Sequence, residues 1–133
     1  MAMADRNGLP IAAWIGSGER HETQLVVDTL EERFTKEAPP RVIGDRAYDS
    51  DALDEELLED FGVKLISPHR AGRRRPTTQD GRELRRYRHR WKVERLFAWL
   101  LWFRRIVTRW EVSADNFLGF VQLGCLSILL RRL

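Results

Sequence analysis

The sequence predicts an α/β domain with a mixed sheet, helices packed on that sheet, and an α-helical C-terminus. Short apolar runs alternate with longer amphipathic segments, which is typical of layered α/β domains with some parallel strand pairing. An Asn7-Gly8 pair between two apolar runs adds an antiparallel hairpin, because both residues tolerate positive φ. The 133 residues, of which 43% are hydrophobic, suit one globular domain and are too few for two.

The N-terminal third contains the hairpin, one helix and one strand. The hairpin is predicted to pair residues 2–6 with residues 9–16. Residues 22–36 repeat apolar side chains at helical spacing, and Pro39-Pro40 ends that segment. Residues 41–45 then predict a short buried strand that ends in an acidic residue.

The next segment predicts a helix and a second strand of the same kind. Ser50 is the expected N-cap of a helix over 51–61, with acidic residues in its first turn, and Gly62 is its natural stop. Residues 63–67 form the following strand.

The remainder of the chain is predicted to be a loop and two helices. Residues 70–81 contain glycine, proline and three consecutive arginines, and are predicted to form an exposed basic loop. A long helix is predicted over 82–104, and a final helix over 114–131 with Ser113 as its N-cap.

The charge is distributed unevenly along the chain. Residues 1–65 hold 7 basic and 15 acidic side chains, whereas residues 66–110 hold 14 basic and 3 acidic ones. Aromatic residues are interleaved with the basic ones in this second segment. A basic block with aromatic side chains favours a nucleic-acid partner, although a solvated surface balanced by the acidic half is the alternative.

Several protein classes are excluded or disfavoured. The single cysteine, Cys125, rules out an internal disulfide framework and fits a reducing compartment. The longest uncharged run has fewer than the roughly 20 apolar residues of a membrane-spanning helix. The N-terminus shows no signal-peptide pattern, so a cytoplasmic protein without a membrane partner is expected.

Two acidic residues are candidates for a catalytic role. Asp45 ends a predicted strand, where ligands collect in open α/β sheets, but it could equally cap the following turn. Glu94 is surrounded by basic residues and could hold a divalent metal ion, but an ordinary ion pair with Arg90, four residues away, is the alternative.

Two segments resemble bacterial insertion-sequence DDE transposases. Residues 42–50 (VIGDRAYDS) look like the second-aspartate segment of that family, and residues 86–100 (RYRHRWKVERLFAWL) look like its glutamate helix. Tyr87, Arg90 and Glu94 fit the family pattern. Leu101 departs from it, since the family usually has a basic or polar residue there, and nearby Arg104 or Arg105 is the expected substitute. The flanking segments also fit, so the resemblance covers nearly the whole chain.

The resemblance implies a ribonuclease-H-like fold in which three acidic residues converge. Asp45 matches the second and Glu94 the third, and together they would bind Mg²⁺, with Mn²⁺ as a substitute. The first aspartate should lie on a central strand before the hairpin, and no residue here matches it. The chain, residues 1–133, is therefore expected to be the C-terminal portion of a transposase catalytic domain with an incomplete sheet. Alone, it is expected to be unstable or rearranged and unable to cleave DNA.

The implied function is DNA transposition, in which the ends of the element are cut and the 3′ strand is joined to target DNA. The implied DNA partners are the terminal inverted repeats and the target. The implied protein partner is a second copy, in a homodimer on DNA, or a complementing segment from an upstream reading frame. The implied location is the nucleoid, in the cytoplasm. The residues expected to contact DNA are Tyr87, Arg90, Arg73, Arg74, Arg75, Arg85, Arg86, Arg88, Lys92, Arg104 and Arg105. A non-catalytic DNA-binding protein, or a remnant that inhibits full-length transposase, is the alternative function. A third is a structural or adaptor domain whose basic block is only surface.

Overall fold

The fold contains four short strands in two separate sheets. It is described for residues 1–132 by a computed structural model. Strands β1 (Ala2–Ala4) and β2 (Pro10–Ala13) pair antiparallel, and β3 (Arg41–Ile43) and β4 (Lys64–Ile66) pair parallel. Among the described residues no strand joins the two pairs. The expected α/β character is therefore confirmed, but the expected mixed sheet is divided into an antiparallel pair and a parallel pair.

A hairpin turn forms around Asn7 and Gly8, but it is not the two-residue turn that this pair predicts, because Gly8 alone of the two has a positive φ. The Asp5 carboxylate accepts hydrogen bonds from the amides of Asn7 and Leu9, at 2.7 and 2.8 Å. Gly8 adopts φ +79°, a conformation that L side chains rarely take. The strands on either side are shorter than predicted, because β1 ends at Ala4, where the register shifts.

Helix α1 (Gln24–Glu31) is shorter than the predicted segment 22–36. The Phe34 amide donates to the carbonyl of Ile11 at 2.8 Å, and Arg33 forms an isolated antiparallel bridge with β2. The residues after Glu31 thus pair with the hairpin instead of continuing the helix, a long-range contact that local periodicity does not reveal.

Helix α2 (Asp51–Phe61) matches its prediction. The Ser50 hydroxyl caps it by accepting from the Leu53 amide at 3.4 Å, and Gly62 ends it in the left-handed conformation at φ +65°. The chain then returns directly into β4, which places β4 parallel to β3 with α2 as the crossover.

The single helix predicted over 82–104 is wrong. The segment forms α3 (Gly81–Leu84), a 3₁₀ helix over 85–89, α4 (Trp91–Leu100) and α5 (Arg104–Val107). The side chains on the two sides of the break after α4 meet at one position: at Gly124 an added Cβ would lie 2.8 Å from Ile106 Cδ1 and 3.2 Å from Leu100 Cδ2. The absence of a side chain at Gly124 leaves room for both.

Helix α6 (Ala114–Leu130) completes the fold and closes the second of two hydrophobic cores. The first core lies among β1, α1, α2 and β4, and the second among α4, α6 and the other side of the hairpin. Ala12 belongs to the first core and Ala13 to the second, and both are fully buried. Within residues 1–132, no helix has the length and hydrophobicity needed to cross a lipid bilayer.

Candidate active site

A cavity of about 1690 Å³ lies between the two sheets. One wall is the hairpin, over residues 1–7, and the opposite wall is β3 with its continuation to Asp45. The rim includes residues between 86 and 93, and four of the predicted DNA contacts are among them: Arg86, Arg88, Arg90 and Lys92. The fold therefore brings the second-aspartate segment and the basic segment to one concave site.

Both walls present unpaired strand edges to this cavity. The backbone N–H and C=O groups of Met1 and Asp5 form hydrogen bonds with the second half of the hairpin. Because these groups alternate in direction along a strand, those of Ala2 and Ala4 point away from β2. The Gly44 amide bonds to Ile66 in β4, so alternation likewise turns the groups of Ile43 away from β4. Among the described residues, β1 has β2 as its partner and β3 has β4, and neither has a second one.

Asp45 follows β3 and caps the next turn. Its Oδ1 accepts from the Ala47 amide at 2.8 Å, which starts a 3₁₀ turn over Arg46–Tyr48. Asp45 therefore caps the following turn, which is the alternative role that the sequence analysis considered for it. The carboxylate also lines the cavity, so capping fixes the place of a group that faces the site.

Glu94 lies on α4 with its side chain 58% exposed, and Arg90 donates to its Oε1 at 2.9 Å. The ion pair considered as an alternative is therefore present. The Arg90 guanidinium also lies 5.9 Å from the centre of the Tyr87 ring. Tyr87, Arg90 and Glu94 adjoin each other, and Arg90 lines the cavity while Glu94 is outside its lining.

Helix α4 is fastened to the hairpin turn by its basic side chains. Arg95 donates to the carbonyl of Asn7, and Lys92 donates to the neighbouring carbonyl in the same turn. The Arg95 guanidinium lies over Trp91 at 5.2 Å and over Trp99 at 5.0 Å. Arg95 and Lys92 thus set the position of the glutamate helix against one wall of the cavity.

The arginines of the basic loop have different environments. Arg73 is 13% exposed and donates to Asp49 at 3.1 Å and to Asp51 at 2.5 Å, while Arg75 also pairs with Asp51 at 2.8 Å. Arg74 is exposed, and among residues 1–132 it has no ion-pair partner. Of the three predicted phosphate contacts, Arg74 is the one whose charge is available without breaking an ion pair.

The other predicted DNA contacts divide into two groups. The first group lies along the cavity rim and comprises Arg86, Arg88, Arg90 and Lys92. The second lies outside the lining and comprises Arg85, Tyr87, Arg104 and Arg105. Arg105 is engaged with Glu111 at 3.0 Å, and α5, which carries Arg104 and Arg105, packs on α6 rather than on the cavity.

Two residues near Asp45 were not selected from the sequence. Glu22 and Tyr48 line the cavity. Burial, followed by the charges of Glu22 and Asp45, raises the pKa of the Tyr48 hydroxyl well above its usual value. The ring of Tyr48 also packs on Gly44, where an added Cβ would lie 3.0 Å from it. The sequence signal that could have suggested Tyr48 is its place three residues after Asp45, within the segment 42–50 that resembles the second-aspartate segment of the family.

Asp54, on α2 behind the basic loop, gives the fold a pH dependence. Burial, together with the charges of Asp51 and Asp49, raises its pKa from 3.8 to about 6, and its Oδ1 is buried without a hydrogen-bond partner. Between about pH 4 and 6 the folded state therefore binds more protons than the unfolded state. Stability should fall as pH rises through this window.

Replacing Asp54 by asparagine removes this charge. We expect Asp54→Asn to raise the free energy of unfolding at pH 7.5 by about 1 kcal/mol, because the side chain is only partly screened by solvent. Urea denaturation at pH 7.5 and pH 4 measures it. The gain should disappear at pH 4, and Glu55→Gln, at an exposed neighbouring position, should change little at either pH. An equal gain at both pH values would contradict the assignment.

The carboxylates of Asp45 and Glu94 suit a hard divalent cation, which prefers oxygen ligands. Each has one oxygen engaged in a hydrogen bond, with Ala47 and Arg90 respectively. In the described part of the chain no group of three acidic, histidine or cysteine side chains could hold a metal ion. The residues present are therefore compatible with part of a metal site that needs a further ligand.

Two known proteins resemble this chain over 92% and 68% of its length. A protein named as a transposase for insertion sequence element IS402 of Burkholderia cepacia is 39% identical over 131 residues, which are 92% of this chain and 58% of that protein. A second, named as a transposase for insertion sequence element IS6501 of Brucella ovis, is 34% identical over 93 residues, 68% of this chain and 67% of that protein. No solved structure matches the chain at a significant level.

The family profile described as the transposase DDE domain matches residues 1–130. This match includes Asp45, Glu94 and both walls of the cavity. The chain spans 58% of the length of the Burkholderia relative. With this coverage and these identities, the chain belongs to the transposase DDE domain family.

Proposed function

We propose that the chain is the C-terminal part of an insertion-sequence transposase and supplies two of the three acidic residues of its active site. In the complete enzyme this site cuts the ends of the element and joins the 3′ strand to target DNA. The carrying observation is the cavity, where Asp45 and the basic segment from Arg86 to Lys92 face one space between two open strand edges.

The open edges of β1 and β3 support a ribonuclease-H-like sheet with its central strand absent. A strand between them would run antiparallel to β1 and parallel to β3, and would join the two pairs into one mixed sheet. An acid at the end of that strand near Asp45 would supply the further ligand. We propose that this strand comes from a segment outside the 133 residues.

In the complete enzyme, Asp45 and Glu94 would hold Mg²⁺ or Mn²⁺ together with the third acid. When bound, the ion would supply Lewis-acid polarisation of a phosphodiester oxygen and would lower the pKa of a water nucleophile. Asp45 is kept in place by its bond to the Ala47 amide. Arg90 restrains Glu94 and, with Tyr87, positions the terminal DNA beside it.

Duplex DNA is the proposed partner, bound in a homodimer that brings two element ends together. The rim residues Arg86, Arg88 and Lys92 would neutralise phosphates next to the acids, and Arg74 would add a contact from the basic loop. Such contacts release counterions, so affinity should fall with salt by about 0.9 log units per log unit of salt for each phosphate neutralised. A soluble complex at the nucleoid is the expected setting.

The proposal is tested with the chain joined to the segment encoded immediately upstream of Met1. Cleavage of a duplex carrying the element end should require this segment and Mg²⁺ or Mn²⁺, and the 133-residue chain alone should bind the duplex without cleaving it. Metal-dependent cleavage by the chain alone would refute the shared-site proposal. Binding without cleavage by the joined protein would instead support the non-catalytic alternative.

The loop arginines provide a separate prediction on DNA affinity. Arg74→Ala should weaken duplex binding and reduce the log–log salt slope by about 0.9, because one free phosphate contact is lost. Fluorescence anisotropy titrations over a salt series measure both quantities. Arg20→Ala, which removes an arginine paired with Asp28 far along the chain from the basic block, is the control and should leave the slope unchanged. An unchanged slope for Arg74→Ala would exclude Arg74 as a phosphate contact.

A further inference from the structure

The turn that carries Asp45 depends on hydrogen bonds from a distant segment. A 3₁₀ turn of three residues satisfies few of its own carbonyls. Arg70 supplies further donors: its Nη2 donates to the Ala47 carbonyl at 2.7 Å, and its Nε donates at 3.1 Å to the Arg46 carbonyl, which also accepts from the Asp49 amide at 3.3 Å. Arg70 is 24 residues from Arg46, so this contact ties the basic loop to the turn.

Asp49 holds the same loop from the other end of the turn. Its carboxylate is 5% exposed and accepts from the Arg70 amide at 2.7 Å, from His69 Nδ1 at 2.8 Å and from Arg73 at 3.1 Å. The His69 ring also contacts the Thr78 amide through Nε2 at 3.2 Å, so it links Asp49 to the far end of the loop. Burial acts to raise the pKa of Asp49, but these donors keep it below its ordinary value.

These bonds join the cap of Asp45, the turn and the start of the basic loop into one unit. Asp45 fixes the Ala47 amide, Arg70 fixes the Ala47 carbonyl, and Asp49 fixes the backbone of Arg70. A displacement of the loop therefore displaces the turn, because Ala47 is held by both partners.

We propose that Asp49 and Arg70 are positioning residues that couple DNA contact at the basic loop to the placement of the Asp45 carboxylate. The inference rests on the proposed function, in which Asp45 is a metal ligand and Arg74 a phosphate contact. When DNA holds the loop, the Asp45 turn becomes more rigid. By reciprocity, a well-placed Asp45 turn favours DNA binding at the loop.

Amide hydrogen exchange of the 133-residue chain, followed by NMR, tests the coupling. The Ala47 amide reports the Asp45 cap, and the Gly44 amide, bonded to Ile66 in the adjacent sheet at 3.0 Å, is the internal reference. Arg70→Met should accelerate exchange at Ala47 about tenfold and leave Gly44 unchanged. Asp49→Asn, which keeps the shape of the side chain, should act in the same direction to a smaller extent.

The coupling itself is read by adding a random-sequence DNA duplex. The duplex should slow exchange at Ala47 in the wild type and have no such effect in Arg70→Met. The matched control is Arg74→Met, in the same loop but without a bond to the turn, which should bind DNA more weakly and leave Ala47 exchange in free protein unchanged.

Three results would overturn the proposal. The first is unchanged Ala47 exchange in Arg70→Met, and the second is equal acceleration of Ala47 and Gly44, which would make the role of Arg70 only structural. The third is a duplex that leaves Ala47 exchange in the wild type unchanged, or that slows it equally in Arg70→Met. Exchange in free protein requires neither metal nor cleavage. If the turn is coupled to the loop but the joined protein never cleaves DNA, the proposed function is refuted and the coupling stands. If the joined protein cleaves DNA but the turn is not coupled, the coupling is refuted and the proposed function stands.

Discussion

Asp45→Asn is expected to reduce DNA cleavage by the completed transposase about 10³-fold or more, equivalent to roughly 4 kcal/mol in the barrier. Asparagine has the same size and keeps an oxygen that can accept from the Ala47 amide, so the turn over Arg46–Tyr48 should survive. It lacks the negative charge with which the carboxylate would hold a divalent cation.

The measurement is single-turnover cleavage of an element-end duplex by the chain joined to its upstream segment. Duplex affinity, measured by anisotropy, should be within about twofold of wild type, because no phosphate contact is removed. Asp60→Asn, at an exposed acid near the end of α2, is the control and should cleave normally. Cleavage that survives Asp45→Asn would remove Asp45 from the active site.

A strand added before β1 is expected to stabilise the fold by about 3 kcal/mol, because it pairs two edges that are open in the present structure. The extension consists of about five Val and Ile residues followed by Asn-Gly, which favours a tight hairpin into Ala2. Both faces of this strand should be apolar, since a strand in that cavity lies between Val26 on one wall and Phe97 on another.

Urea denaturation followed by circular dichroism measures the gain. The matched control carries proline at the centre of the added strand, which removes a backbone donor without shortening the chain. The proline version should lose most of the stabilisation. Equal stability of the two extended chains would mean that the extension does not pair with β1 and β3, and that the cavity is not a site for a strand.

Local features of the fold could be predicted from local sequence. The hairpin at Asn7-Gly8 and the ends of α2 at Ser50 and Gly62 are confirmed, because each depends on residues within one turn of the chain. The early end of α1 could not be predicted, since it results from pairing of Arg33 with β2. The break after α4 was not predicted either, and the side chains on its two sides, Leu100 and Ile106, both lie close to Gly124, far along the chain.

The candidate site was predictable to a similar extent. Asp45 and Glu94 were selected from their sequence context, and the structure places Asp45 in a cavity with a basic rim. Their catalytic roles stay predictions. The contacts of Asp49 with Arg70 and Arg73 join residues more than 20 positions apart, and no spacing rule reveals them. The loop therefore looked uniformly available to DNA, although two of its arginines are paired with acids.

The two buried alanines of β2 are neighbours in the sequence but belong to different cores. Consecutive side chains of a strand point to opposite faces, so Ala12 is constrained by Val26 and Leu30 and Ala13 by Leu96 and Cys125. A substitution that enlarges Ala12 would have to be compensated by changes among the neighbours of Ala12, and the neighbours of Ala13 would not be affected. Selection should therefore act on these adjacent positions as two separate characters, each co-varying with residues of a different helix layer.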